Sequence, residues 1–129
     1  TDEELRAQIT DVELKTFDRI LAAMGLSWRM RAAAGQAIDV PAVDFGQAQF
    51  LLMPAESFVG YQLMAQKLGA DDLVITAGYG ECAPGYIPTR EATAENFIEH
   101  HTWCWVVRGC DEAMRTAMQE ALNPKQGEN

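Results

Sequence analysis

The chain has 129 residues, 10 Lys and Arg against 19 Asp and Glu for a formal charge of -9, and 48% hydrophobic residues. This composition fits an ordinary soluble domain and excludes fibrous, low-complexity and wholly disordered classes. With no basic stripe, a nucleic-acid role lacks the counterion release that drives phosphate binding, and the same charge disfavours anionic membrane surfaces.

A domain of this size buries roughly two-thirds of the surface its unfolded chain exposes, which sustains a core but lies near the lower limit for a self-sufficient enzyme. No apolar run approaches the ~20 residues of a membrane span, and Thr1-Asp2-Glu3-Glu4 is acidic where a signal peptide would be basic. The missing initiator Met leads us to expect a processed or trimmed chain. Cys82, Cys104 and Cys110 are too few for a disulfide scaffold; a bridge from Cys104 to Cys110 stays open, and with it the redox compartment.

From the N-terminus, Leu5, Ile9 and Val12, then Phe17, Ile20, Leu21, Met24 and Trp28 recur at helical spacing. Thr10 with Glu13 forms a capping-box pattern that would restart the helix, Gly25 would kink it, and Gly35 would end it. The period then becomes that of strands: Ile38, Val40 and Val43 surround Pro41, Gly46-Gln47 turns the chain, and Phe50-Leu51-Leu52-Met53 reads as a buried strand. Pro54-Ala55-Glu56 interrupts it. A helix is expected from Ser57, with Phe58, Tyr61, Met64, Ala65 and Leu68 on one face, Gly60 marking close packing and Gly69 closing it. Asp71 or Asp72 leads into Leu73-Val74-Ile75-Thr76-Ala77, so 48–78 has the outline of a strand-helix-strand unit with parallel strands and a right-handed crossover.

Two prolines and two glycines make 79–89 an irregular loop, and 102–107 reads as a strand with Trp103 and Trp105 on one face. Asp111 is expected to cap a last helix whose stripe is Met114, Ala117, Met118, Ala121 and Leu122. The expected fold is therefore α/β: one domain over 1–122 with a mixed sheet, an N-terminal helical segment packed on it and a C-terminal helix, followed by a disordered tail at 123–129.

In such a unit the loops after both strands emerge at the carboxyl edge of the sheet, where open α/β folds bind ligands. That brings Glu56, Tyr79, Glu81, Cys82 and Tyr86 towards one edge. Taken singly, Glu56 reads first as a carboxylate at a helix start, and as a ligand or base second. Tyr79 and Tyr86 read first as aromatics pinning a Gly/Pro loop, Glu81 as solvated, and Cys82 as a small buried thiol with no His nearby in sequence to activate it. Gly78, Gly80 and Ala83 match a dinucleotide fingerprint, with Glu99 near the ribose-binding distance, but Pro84 and Pro88 forbid the helix that must open inside it, so the nucleotide reading is rejected. His100, His101, Cys104 and Cys110 fit no established zinc spacing, and adjacent histidines on a strand would face opposite sides.

Leu52-Met53-Pro54-Ala55-Glu56, the helix after it, and Gly85-Tyr86-Ile87-Pro88-Thr89-Arg90-Glu91 through Glu99 resemble the later part of the catalytic domain of the neutral/alkaline ceramidase family. There an apolar strand ends in Pro-Gly-Glu and a Tyr-x-x-Thr-x-Glu-like stretch leads to Tyr-Glu-Gly. The likeness is greatest to ceramidase-like bacterial proteins with Gly-Tyr-Gly-[Asp/Glu]-Cys-x-Pro-Gly-Tyr-Ile-Pro-Thr in this loop, here 78–89, and it spans Phe50 to Glu99 with a weaker extension back to Trp28.

The resemblance implies the C-terminal portion of a zinc-dependent amide hydrolase that is secreted, periplasmic or at the cell surface. Its metal is held by two histidines, the Glu of Pro-Gly-Glu and the Tyr of the later loop, which on this chain are Glu56 and Tyr86. Tyr79 and Glu81 are placed as catalytic, site-lining residues. The implied partners are an N-acyl amide or sphingolipid-like small molecule and the upstream part of the same protein, with a homo-oligomer open. Three departures stand out: Ala55 replaces Gly, Phe97-Ile98-Glu99-His100 lacks the Tyr whose hydroxyl would support the substrate or oxyanion, and the two upstream histidines are not in this sequence, unless His100 or His101 takes such a place. The missing hydroxyl argues against ceramide itself as substrate. The competing expectation is a non-catalytic α/β module that binds a small ligand or itself.

Overall fold

Backbone groups at the first helix find their partners locally. In a computed structural model describing residues 1–69, 72–81 and 84–123, α1 runs Asp2–Thr10 and is capped by Thr1, whose side chain accepts from the Glu4 amide while the Glu4 carboxylate reaches back to the Thr1 amine. The capping box thus lies at Thr1 and Glu4 rather than at Thr10 and Glu13. Thr10 instead ends the helix, its hydroxyl donating to the Arg6 and Ala7 carbonyls. α2, Thr16–Ala33, starts after Lys15 with no side-chain cap. It runs through Gly25 without a break. Gly25 is buried, and a Cβ there would lie 4.0 Å from Leu5 Cδ2, an ordinary packing distance between α1 and α2. Gly35, at φ +65, follows the helix end. These two helices belong to the first of two compact units, Thr1–Ala37.

The second unit begins at Ile38. Asp44 Oδ1 accepts from the Gly46 amide at 2.7 Å, and Gly46 at φ +82 turns β1, Ala42–Asp44, into an antiparallel pairing with β2, Ala48–Leu52. β3, Glu56–Ser57, precedes α3, Val59–Leu68; β4, Leu73–Ala77, then pairs parallel with β2, Phe50 opposite Ile75. The strand-helix-strand unit with parallel strands is present, and the sheet order β1-β2-β4 is mixed, so the class is α/β. The remaining elements are β5, Tyr86–Ile87; α4, Arg90–Ala94; α5, Phe97–His100; and α6, Cys110–Leu122. Among the described residues no helix is long and apolar enough to cross a membrane.

One face of the sheet carries the core: Leu51, Met53 and Val74 pack with Tyr61 and Ala65 of α3 and Met114, Met118 and Leu122 of α6. Phe50 and Ile75 point the other way and are 36% and 47% exposed, so the run 50–53 is buried only at alternate positions. Gly60 and Gly69 both serve close approach: a Cβ on Gly60 would come within 2.6 Å of Thr89 Cγ2, and one on Gly69 would collide with Val74 Cγ2.

Four further expectations are corrected. The helix expected from Ser57 starts at Val59, because Ser57 is held in β3 by its amide bond to the Gly78 carbonyl at 2.9 Å. The loop 79–89 contains β5. The segment 102–107 makes a single bridge, Cys104 to Gly85, instead of a strand, although Trp103 and Trp105 do lie together with ring centroids 5.6 Å apart. Asp111 sits inside α6, whose N-cap is Gly109 at φ +90; it is buried and accepts from Arg90 Nε at 3.0 Å. The readings that fall on Asp71, Cys82, Ala83, the tail after Asn123 and the Glu99 side chain lie outside the described residues.

Candidate site at the carboxyl edge of the sheet

Leu52 and Ala77 are register partners at the carboxyl ends of β2 and β4, so the segments that follow leave side by side. They then bond backbone to backbone: Met53 N–H to Ala77 O at 2.9 Å, Ala55 N–H to Glu81 O at 3.0 Å, Gly80 N–H to Ala55 O at 3.1 Å and Ser57 N–H to Gly78 O at 2.9 Å. A Cβ on Gly80 would run into the Met53 carbonyl, so this approach requires a glycine. Ala55 is bent to φ +51, a left-handed conformation that L residues other than Asn and Asp seldom adopt. The bend turns the chain from the sheet into β3.

β3 pairs parallel with β5, Glu56 opposite Tyr86 and Ser57 opposite Ile87. Glu56 also bridges Tyr79, whose hydroxyl donates to Glu56 Oε1 at 3.0 Å. Tyr79 is 72% exposed, unlike the half-buried aromatic the loop suggested, and the carboxylate at its hydroxyl pushes its pKa above the ordinary tyrosine value. Tyr86 is half-buried, its ring edge-on to Phe58 and Phe97 at centroid distances of 6.2 and 5.7 Å. Its amide donates to Trp103 O at 2.9 Å, and its carbonyl accepts from Cys104 Sγ at 3.4 Å. A cleft of about 290 Å³ opens nearby between Met53, Ser57, Phe58, Gln62, Thr76 and Tyr79; Tyr79 lines it, and Glu56 and Tyr86 do not.

Three of the expected residues, Glu56, Tyr79 and Tyr86, are thus brought together. Glu81 is joined to them through its backbone carbonyl on Ala55, while its side chain is exposed. Cys82 lies outside the described residues. His100 and His101 fall at the end of α5 rather than on a strand; His101 stacks on Phe97 at 3.8 Å and faces Tyr86 edge-on at 6.2 Å. That contact was missed because 90–101 carries no strong period, although the Phe97–His101 spacing of i, i+4 is a helical-neighbour signal. Cys104 is buried beneath Tyr86, and burial pushes the Cys110 thiol up, away from nucleophile chemistry; no disulfide joins the two.

For a metal, the Glu56 carboxylate is a donor of the kind zinc accepts, and the phenol oxygen bonded to it is that of Tyr79. Among the described residues no three His, Cys, Asp or Glu side chains cluster as a ligand group. No family model, curated protein or solved structure matches the chain.

Proposed function

We propose that this chain is the C-terminal portion of a zinc-dependent amide hydrolase resembling neutral ceramidase, which converts an N-acyl amide to a carboxylic acid and an amine. The observation that carries the reading is the register pairing of Glu56 with Tyr86, two residues distant in sequence whose side chains leave a parallel ladder on one face. The positive φ of Ala55 adds support, because the resembling family has glycine there and this backbone favours glycine.

On this reading Glu56 and Tyr86 give two oxygen ligands, and two histidines from the upstream part of the same protein complete the set. The chemistry a bound zinc supplies is polarisation of the amide carbonyl and a water whose pKa falls to about 7. Tyr79 orients the Glu56 carboxylate by its hydrogen bond, as outer partners of metal ligands do. Glu81 lines the same edge, and the cleft beside Ser57 and Tyr79 takes a small part of the amide substrate. The substrate on this reading is an N-acyl amide or sphingolipid-like small molecule, with the hydroxyl missing from 97–100 arguing against ceramide itself, in a secreted, periplasmic or cell-surface setting.

Amine release from a panel of N-acyl amides, measured on the natural full-length protein, tests the proposal. Activity should vanish with a chelator, return with zinc, and fall at least a hundredfold in Glu56→Ala. Unchanged hydrolysis in Glu56→Ala would overturn the assignment; neither hydrolysis nor zinc in the wild type would favour a binding or self-associating module.

A further inference from the structure

The Glu56–Tyr86 register rests on a ladder of two residues per strand, too short to hold itself. Something outside it must fix β5 against β3. Upstream the restraint is the Tyr86 amide, which donates to the Trp103 carbonyl at 2.9 Å, an approach that Gly85 at φ +71 permits because a Cβ there would collide with that carbonyl. Downstream it comes from α3, the helix that follows β3. There Tyr61, fully buried, donates its hydroxyl to Pro88 O at 2.8 Å, two residues past Tyr86. Its neighbour Gly60 lets Thr89 approach, with only 2.6 Å between Thr89 Cγ2 and a hypothetical Cβ. Burial raises the Tyr61 pKa far above the ordinary range, so the hydroxyl is a donor at every working pH.

We infer that Tyr61 is a positioning residue: its hydroxyl, acting on Pro88, holds Tyr86 opposite Glu56. The inference rests on the hydrolase reading for its functional meaning, but its geometry does not. Tyr61→Phe removes one hydroxyl and little volume, and leaves the Pro88 carbonyl without that donor.

The test is hydrogen exchange at single amides in the natural protein and its Tyr61→Phe variant. Glu56 and Phe58 bond β5 through Gly85 O and Ile87 O; Leu52 and Met53 bond Pro41 O and Ala77 O at the larger sheet and serve as internal references. Exchange at Glu56 and Phe58 should accelerate at least tenfold more than at Leu52 and Met53. An equal change at all four amides, or none, would overturn the inference, since a purely structural role loosens the unit uniformly. Should Tyr61→Phe fail to fold, Gly60→Ala probes the same junction sterically and should give the same selective pattern. Zinc content is measured in parallel. Loss of Tyr86 positioning should raise the zinc dissociation constant about tenfold or more in Tyr61→Phe; a wild type without zinc would sink the hydrolase reading while leaving the exchange result to decide the role of Tyr61.

Discussion

Ala55 carries a conflict between residue and backbone: φ +51 costs an L residue about 1–2 kcal/mol, which glycine would not incur. Glycine gives back part of that gain as extra unfolded-state entropy, about 0.4–1 kcal/mol. Ala55→Gly should therefore be neutral or stabilising by up to about 1.5 kcal/mol in urea denaturation. A loss above about 1 kcal/mol, the ordinary result for a buried alanine, would mean that the bend is not left-handed. Tyr79 makes a second residue-scale prediction. Its pKa is raised by the bond to Glu56 and by that charge, so the interaction stabilises the fold below the unfolded value near pH 10 and is lost as pH rises through the higher folded value. In Glu56→Gln the Tyr79 phenolate should form at lower pH, read as ultraviolet absorbance against a Tyr79→Phe control; an unmoved midpoint would deny the contact.

At the scale of elements, α6 and α3 together cover one side of the sheet, and Met118 is fully buried where they meet it. Met118→Ala should cost about 2–5 kcal/mol by chemical denaturation, and a cost below about 1 kcal/mol would mean that α6 does not pack there. The stripe that predicts this packing was readable in the sequence, as were β4 to the residue and the parallel unit around α3, because each rests on local periodicity. What was not readable follows from distance. β3 and β5 are two residues long, and their register is set by Gly85 against Trp103 and by Tyr61 on Pro88, contacts that no window of sequence contains. Likewise 102–107 alternates like a strand, yet it makes only the bridge at Cys104. Asp111 has the residue type of a cap, but the helix already starts at Cys110 behind Gly109, and Asp111 pairs with Arg90 instead.

For the whole molecule, the site follows from where the sheet ends. Periodicity placed Glu56, Tyr79 and Tyr86 at one edge, and the geometry there agrees, whereas the chemistry assigned to them is the proposal. On the proposed reading Glu56 and Tyr86 are two oxygen donors of four, and the proposal requires the other two from elsewhere in the natural protein. The most direct test is zinc stoichiometry of the natural full-length protein, purified without added metal, beside Glu56→Ala and Tyr86→Phe. The account predicts about one zinc per chain in the wild type and loss of that zinc in Glu56→Ala, with weaker retention in Tyr86→Phe. Full zinc in both variants, or none in the wild type, would contradict it.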